Sequence, residues 1–155
     1  MATTPVPPHV QLSELLYDTF DDEGIDADVF ADAFADWKAL GPAGEFSSYY
    51  WGKDGFYVAP RRGGRMVLRH VHLPPSNPAE LAEWAKAHRR RRGRRTSNTC
   101  LIYAYDKAHG YLLLYIAREP NGHSISDMSV PASARLMNQL ADAAEAFIHD
   151  GSIAL

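Results

Sequence analysis

The chain is poor in cysteine and has no long apolar run. Cys100 is the one cysteine among 155 residues, so no intramolecular disulfide can form and a reducing compartment is expected. The longest apolar stretches, such as YLLLYIA, are too short to span a bilayer. The amino-terminal residues show neither the basic nor the apolar region of a signal peptide. We therefore expect a cytoplasmic protein without a membrane partner.

The usual signatures of cofactor chemistry are also missing. The sequence contains no P-loop, no glycine-rich dinucleotide turn and no paired cysteines at zinc-binding spacing. Nothing marks a serine or a cysteine as a nucleophile. We therefore expect no cofactor, and the remaining candidates are side chains that bind anions or transfer protons.

Charge is unevenly distributed along a chain whose net charge is only −3. Residues 1–40 contain nine acidic residues and one basic residue, Lys38, whereas residues 41–155 contain fifteen basic and ten acidic residues. Such a split is typical of proteins that bind a polyanion with one half. It is equally compatible with two oppositely charged faces that only aid solubility.

Hydrophobic periodicity predicts the order α-α-β-β-α-β-β-α. The first helix includes Leu12 and ends at Gly24, and the second carries an apolar stripe from Val29 to Leu40. The last two strands, TCLIYAYD and GYLLLYIAR, are joined by a hairpin loop. The order predicts an α+β fold with helices packed on a small, mainly antiparallel sheet. Three segments are expected: a flexible Pro-rich tail (1–9), an acidic helical segment (10–44) and a basic α+β core (45–155).

An arginine block follows the helix that Asn77 is predicted to cap. Its members are Arg89, Arg90, Arg91, Arg92, Arg94 and Arg95. The helix dipole favours one or two cations at a carboxyl-terminal end, but it does not account for six. Guanidinium groups next to the Thr96 hydroxyl suit contact with phosphate.

Aromatic side chains lie just beyond this block. Tyr103 and Tyr105 share a face of the following strand. Phenol rings beside arginines suit single-stranded nucleic acid, in which cations hold the backbone and rings stack on bases. The alternative is a core strand with tyrosines at its rim.

Two histidines are placed on one face of the strand RMVLRHVHL. His70 and His72 can transfer protons near neutral pH. They can also bind zinc with a third ligand such as His109 or His123, or be partly buried structural residues. Arg118 ends the last strand, and His123 follows in a Pro/Gly loop, where functional residues are common.

Five stretches, in the same order, resemble the YafO family of type II toxins. They are FADWKALGPAGEF…YYWGKDGFY, VLRHVHLPP, RRTSNTCLIYAYD, GYLLLYIAREPNGHS and MNQLADAAEAF, and together they extend from about Val29 to Phe147. The resemblance implies a RelE-like α+β fold, mRNA interferase activity at the ribosome and an antitoxin encoded beside the toxin. The run Arg89–Arg92, the acidic segment Asp21–Asp28 and the Pro-rich tail depart from the family pattern.

The resemblance also implies a metal-free reaction in which the 2′-hydroxyl attacks the neighbouring phosphodiester. We expect His70 and His72 to be base and acid, Arg95 and Arg118 to hold the charged phosphorane, and His123 to be a second acid. The expected RNA-binding residues are Arg89, Arg90, Arg91, Arg92, Arg94, Thr96, Tyr103 and Tyr105. Two alternatives remain open, a non-catalytic inhibitor that binds RNA or the ribosome and a zinc protein built on the HVH pair. The oligomeric state is not predicted.

Overall fold

The protein is an α+β sandwich in a computed structural model that describes residues 8–90, 94–118 and 122–155. A five-stranded sheet lies between helices, and a small hairpin lies apart from it. The strands are β1 (Val10–Leu12), β2 (Asp54–Phe56), β3 (Arg61–Arg62), β4 (Arg65–Met66), β5 (Arg69–His72), β6 (Cys100–Asp106) and β7 (Gly110–Ala117). The helices are α1 (Glu14–Glu23), α2 (Ala27–Ala39), α3 (Gly44–Ser47), α4 (Pro78–Arg90), α5 (Gly122–Asp127) and α6 (Pro131–Asp150).

The sheet is mainly antiparallel, as predicted. Its strand order is β1-β7-β6-β5-β2, and only the β1–β7 pair is parallel. The predicted hairpin joins β6 and β7 at the centre, with a register shift between Ile102 and Tyr103. The two central strands are covered on both faces, which explains why their sequences show no alternation of apolar and polar residues.

Two apolar cores lie on opposite faces of the sheet. One joins the sheet to α6 and includes Leu112, Met137 and Phe147. The other joins it to α1 and α2 and includes Phe20 and Phe34. Complete burial of such side chains stabilises a fold by about 1.5–3 kcal/mol each. The acidic amino-terminal segment therefore supplies one of the helical layers.

Capping residues and glycines in the sequence determine where several helices begin and end. Asn77 caps α4 as predicted, since its Oδ1 accepts hydrogen bonds from the amides of Ala79 and Glu80. Asp26 does the same for α2. Gly24 and Gly151 end α1 and α6 with φ of 69° and 79°. This left-handed conformation is less favourable in free energy for residues that have a Cβ.

The predicted order of elements was incomplete. Leu12 lies in β1 and not in the first helix, which begins at Glu14. The stretch predicted as one strand is divided, because Arg65–Met66 pairs with β3 while Arg69–His72 pairs with β2 and β6. A helix, α5, occupies residues 122–127, where a loop was predicted.

The apolar stripe predicted for α2 is only partly buried. Phe34 and Trp37 are buried, but Val29 and Leu40 are 64% and 57% exposed. Both exposed residues lie near an end of the helix, beyond the part that covers the sheet. Periodicity identified the correct face but not how far the neighbouring layer extends along it.

The predicted flexible tail falls largely outside the described residues, which begin at residue 8. His9 is described, and its carbonyl oxygen accepts a hydrogen bond of 2.9 Å from the Tyr111 amide. None of the helices in the described ranges combines the length and the hydrophobicity that crossing a membrane requires.

Candidate functional site

Arg95 is an internal tether. The residue is 5% exposed, and its guanidinium donates hydrogen bonds to the carbonyl oxygens of Glu45, Ser48, Tyr49 and Trp51. Burial lowers the pKa of this guanidinium. Its donors are directed at backbone oxygens of residues 45–51. Arg95 therefore stabilises the conformation of this segment.

The neighbours of Arg95 reinforce the same loop. Its guanidinium carbon lies 4.9 Å from the centre of the Trp84 ring, and the Trp84 indole donates a hydrogen bond of 2.8 Å to the Tyr49 carbonyl. Gly52 passes through the remaining gap. A Cβ at Gly52 would lie 2.5 Å from both Trp84 Cη2 and the Arg95 carbonyl oxygen. Helix α4 is thereby locked to the residues that precede β2.

The predicted acid–base pair has mainly structural surroundings. The His70 ring stacks on Tyr57, with ring centres 4.0 Å apart. His72 is 4% exposed, and its Nδ1 accepts a hydrogen bond of 3.0 Å from the Ser97 amide. The Cys100 sulfur lies 3.5 Å from the same nitrogen. The two imidazoles do share a face, with ring centres 5.4 Å apart.

Arg118, another predicted catalytic residue, has a partner of its own. Arg118 is exposed at the end of β7, where its guanidinium binds the Glu23 carboxylate at 2.5 Å. His123 lies in α5, and its side chain is outside the described part of the molecule. The Glu23–Arg118 ion pair joins the acidic segment directly to the basic part of the chain.

The two tyrosines differ in accessibility. Tyr103 is fully buried against Phe34, so its proposed stacking on an RNA base was wrong. The Tyr103 hydroxyl donates a hydrogen bond of 2.5 Å to Asp54, and burial raises the pKa of this phenol. Tyr105 is partly exposed and packs between Tyr111 and the Arg69 guanidinium. Tyr103 lies in the middle of β6, whereas Tyr105 lies next to the end of the strand, beside the β6–β7 turn.

The arginine block borders a large cleft. Arg89 and Arg90 are exposed at the end of α4, and Arg94 and Thr96 are exposed on the following segment. Arg91 and Arg92 lie outside the described residues. The cleft between α4 and this segment, named the main cleft below, has a volume of about 650 Å³. It is lined by Pro75, Ala79, Glu80, Glu83, Trp84, Ala87, Arg94, Arg95, Thr96, Ser97 and Asn98.

A second cleft, which the sequence did not indicate, adjoins the first. It has a volume of about 370 Å³ and is lined by Trp37, Lys38, Gly41, Pro42, Glu45, Asp54, Arg94 and Tyr111. Lys38 Nζ lies 2.6 Å from Asp54 Oδ2, and Arg94 Nε lies 3.2 Å from Glu45 Oε2. The only available signal was that Lys38 is the sole base among residues 1–40.

No metal site emerges among the described side chains. Within ranges 8–90, 94–118 and 122–155, no three His, Cys, Asp or Glu side chains are grouped as ligands. His109, one suggested third ligand, pairs with Asp106 at the turn end of the β6–β7 hairpin. His72 pairs with Cys100 at the opposite end. These two histidines therefore do not form a common site.

A comparison with protein families finds a match over most of the chain. The family described as toxin YafO of a type II toxin–antitoxin system matches residues 35–149. No curated protein and no solved structure matches the chain, so the RelE-like character of the fold stays a prediction. The matched range includes every residue that lines the two clefts.

Proposed function

The chain belongs to the YafO family of type II toxin–antitoxin toxins, and we propose that it is an mRNA interferase, an endoribonuclease that cleaves messages at the ribosome. The proposed reaction is attack of an RNA 2′-hydroxyl on the adjacent phosphodiester. Membership of this family implies a cognate antitoxin. The proposed partners are therefore mRNA, the ribosome and that antitoxin, and the proposed place of action is the cytoplasm.

The main cleft carries the proposal. Its volume of about 650 Å³ admits a nucleotide, and Arg94 and Thr96 offer phosphate ligands along one wall. Arg90 follows the lining residue Ala87 at a spacing of three, which places it on the same side of α4. A polyanion therefore meets several exposed guanidinium groups along one edge.

The opposite wall of the main cleft is chemically different. Glu80 and Glu83 line it from α4. Carboxylates accept hydrogen bonds from exocyclic amino groups of bases. Single-stranded RNA with its backbone along the arginines and its base edges toward Glu80 and Glu83 satisfies both groups of side chains. A duplex hides those base edges, so a single strand is the better fit.

Cleavage is tested by adding purified protein to a reconstituted translation reaction and mapping RNA 5′ ends. New 5′ ends within a translated message, and none without the protein, are expected. An inhibitor that acts by occupancy would instead stop peptide synthesis and leave the message intact. That outcome would reject the enzyme and favour the non-catalytic alternative.

The binding surface has its own test in a triple variant, Arg89→Ala/Arg90→Ala/Arg94→Ala. Loss of three phosphate contacts on a single strand is expected to reduce the slope of log affinity against log salt by about 2. Arg135→Ala, exposed on α6, is the control for loss of surface charge. An unchanged slope in the triple variant would place the RNA elsewhere.

A further inference from the structure

We propose that the second cleft is the reaction centre, where Lys38 and Glu45 act as acid and base on an RNA phosphodiester. This inference rests on the proposed function and assigns proton transfer to residues other than the predicted histidines.

The two clefts meet at Arg94. Arg94 lines both the main cleft and the second cleft, and its side chain is 52% exposed. A phosphate bound by Arg94 therefore lies at the boundary of the two clefts. An RNA strand whose bases occupy the main cleft presents its next phosphodiester to the second cleft.

Lys38 supplies the cation and the proton. Its side chain is 14% exposed, and its Nζ lies 4.3 Å from the centre of the Trp37 ring and 5.1 Å from that of Tyr103. Burial lowers the pKa of the Lys38 ammonium, and the Asp54 carboxylate partly opposes this shift. A buried ammonium releases a proton more readily than an exposed one, and it stabilises developing negative charge more strongly than it would in water.

Glu45 supplies the base. Its Oε1 accepts a hydrogen bond of 2.6 Å from the Asp54 amide, and its Oε2 binds Arg94. These contacts fix the orientation of the carboxylate, and its side chain remains 14% exposed. An ionised carboxylate has about four acceptor sites, so capacity remains for a substrate hydroxyl.

The reaction balances with these two groups. Glu45 takes the proton of the 2′-hydroxyl as the O2′–P bond forms. The P–O5′ bond breaks, and Lys38 gives its proton to the departing O5′. The products are a 2′,3′-cyclic phosphate and a 5′-hydroxyl end. Exchange with water then returns a proton to Lys38 and removes one from Glu45.

The surroundings of the residues predicted from the sequence favour Lys38 and Glu45 as the catalytic acid and base. His72 is 4% exposed and its ring accepts a hydrogen bond from the Ser97 amide, and the Arg95 guanidinium is directed at four carbonyls. Neither group faces the second cleft. Lys38, Glu45 and Arg94 do.

The test compares single-turnover cleavage of a message on programmed ribosomes for wild type, Lys38→Met and Glu45→Gln. Each substitution is expected to lower the rate about 100-fold or more, the usual contribution of one proton-transfer group. Glu45→Gln retains an oxygen for the Asp54 amide, so this variant remains decisive if Lys38→Met does not fold. Circular dichroism and thermal unfolding establish which variants are folded.

A matched control is Arg62→Met, which removes another cation of low exposure from an ion pair, here with the exposed carboxylate of Asp142. The side chains of Lys38 and Arg62 are 14% and 21% exposed. Arg62→Met is expected to cleave like wild type. Binding of a 2′-fluoro RNA oligonucleotide, which lacks the nucleophile, is expected to persist in Glu45→Gln.

The outcomes separate the two proposals. If wild type cleaves and folded Glu45→Gln cleaves equally fast, the second cleft is not the reaction centre although the protein remains an endoribonuclease. If the wild-type protein produces no new RNA 5′ ends, the proposed function is wrong and this inference is wrong with it. Loss of cleavage in Glu45→Gln with retained oligonucleotide binding supports both.

Discussion

Arg95 illustrates how a residue type that binds phosphate can instead organise a loop. A guanidinium has five N–H donors in a fixed plane, and here the two terminal nitrogens donate to the carbonyls of Glu45, Ser48, Tyr49 and Trp51. The sequence identified Arg95 as special because it ends an arginine block. It could not show whether the donors point outward or inward, since that depends on a segment 44 to 50 residues earlier in the chain.

Replacement of Arg95 by alanine is expected to lower the free energy of unfolding by about 3 kcal/mol or more, because four buried or partly buried carbonyls lose a charged donor. Urea unfolding followed by circular dichroism measures this change. Arg89→Ala, exposed at the end of α4, is the control and should change stability by about 0.5 kcal/mol or less. Equal stability of the two variants would mean that Arg95 serves a ligand and not the loop.

Cys100 should be chemically inert in the folded protein. The thiol is 2% exposed, and burial raises its pKa from 9.0 to about 12. Because the thiolate is the reactive form, a disulfide reagent at pH 8 is expected to label the folded protein very slowly. In denaturant it should label one thiol quickly. Rapid labelling without denaturant would contradict the burial of β6.

The raised pKa of Cys100 also makes the stability of the fold depend on pH. The unfolded thiol ionises near pH 9, whereas the folded thiol ionises near pH 12. The unfolded state therefore loses its proton first as pH rises, and ionisation of Cys100 favours unfolding above about pH 9. Below that pH both states hold the proton, and the contribution disappears.

Two helix caps that look alike in sequence differ in their surroundings. Asp26 is an exposed cap of α2. Ser13 is fully buried: its hydroxyl accepts from the Leu16 amide and donates a hydrogen bond of 2.7 Å to the Leu114 carbonyl. Ser13 thus fixes both the start of α1 and its attachment to β7.

Ser13→Ala is accordingly expected to cost more than Asp26→Ala. Loss of an N-cap costs about 1 kcal/mol, and Ser13→Ala also leaves a buried carbonyl without its donor, for a total of about 2 kcal/mol or more. Midpoints of urea unfolding for the two variants give the comparison. If Asp26→Ala proves the more harmful, the link from α1 to the sheet contributes little.

The helices and strands that were predicted well from the sequence are determined by residues within or next to them. The cap Asn77, the stop signals Gly24 and Gly151, and the long apolar runs of β6 and β7 act over a few residues. The elements it missed depend on distant partners. β1 has three residues and exists because β7 offers it hydrogen bonds. The second cleft likewise joins α2, α3, β2 and β7, which no local pattern relates.

At the scale of the molecule, the acidic and basic parts of the chain are in contact. Glu23 at the end of α1 binds Arg118 at the end of β7. Asp21 and Asp22 are exposed beside it. This cluster lowers the positive potential near Arg118, and its influence extends about 10 Å at 0.1 M salt. We therefore expect it to restrain binding of a polyanion at this end of the sheet.

Neutralising these three acids, as Asp21→Asn/Asp22→Asn/Glu23→Gln, is expected to tighten RNA binding at low salt. The gain should vanish at high salt because it is electrostatic. Fluorescence anisotropy with labelled single-stranded RNA measures both. Deletion of the segment is unsuitable, since Leu16 and Phe20 belong to the core.

The control neutralises three exposed acids of α2, as Asp28→Asn/Asp32→Asn/Asp36→Asn. It changes the net charge by the same amount but leaves the Glu23–Arg118 pair in place. A larger gain in the first variant would assign the restraint to that pair. Equal gains would show that only the net charge matters.

The pairing of β1 with β7 also sets when this protein becomes complete during its own synthesis. Ser13 and its partner Leu114 are 101 residues apart. A ribosome therefore makes α1 and α2 long before the strand that covers their apolar faces. The second cleft also remains open on one side until Tyr111 has been added. If the second cleft is the reaction centre, as proposed, the protein acquires that centre only after most of its own message has been translated.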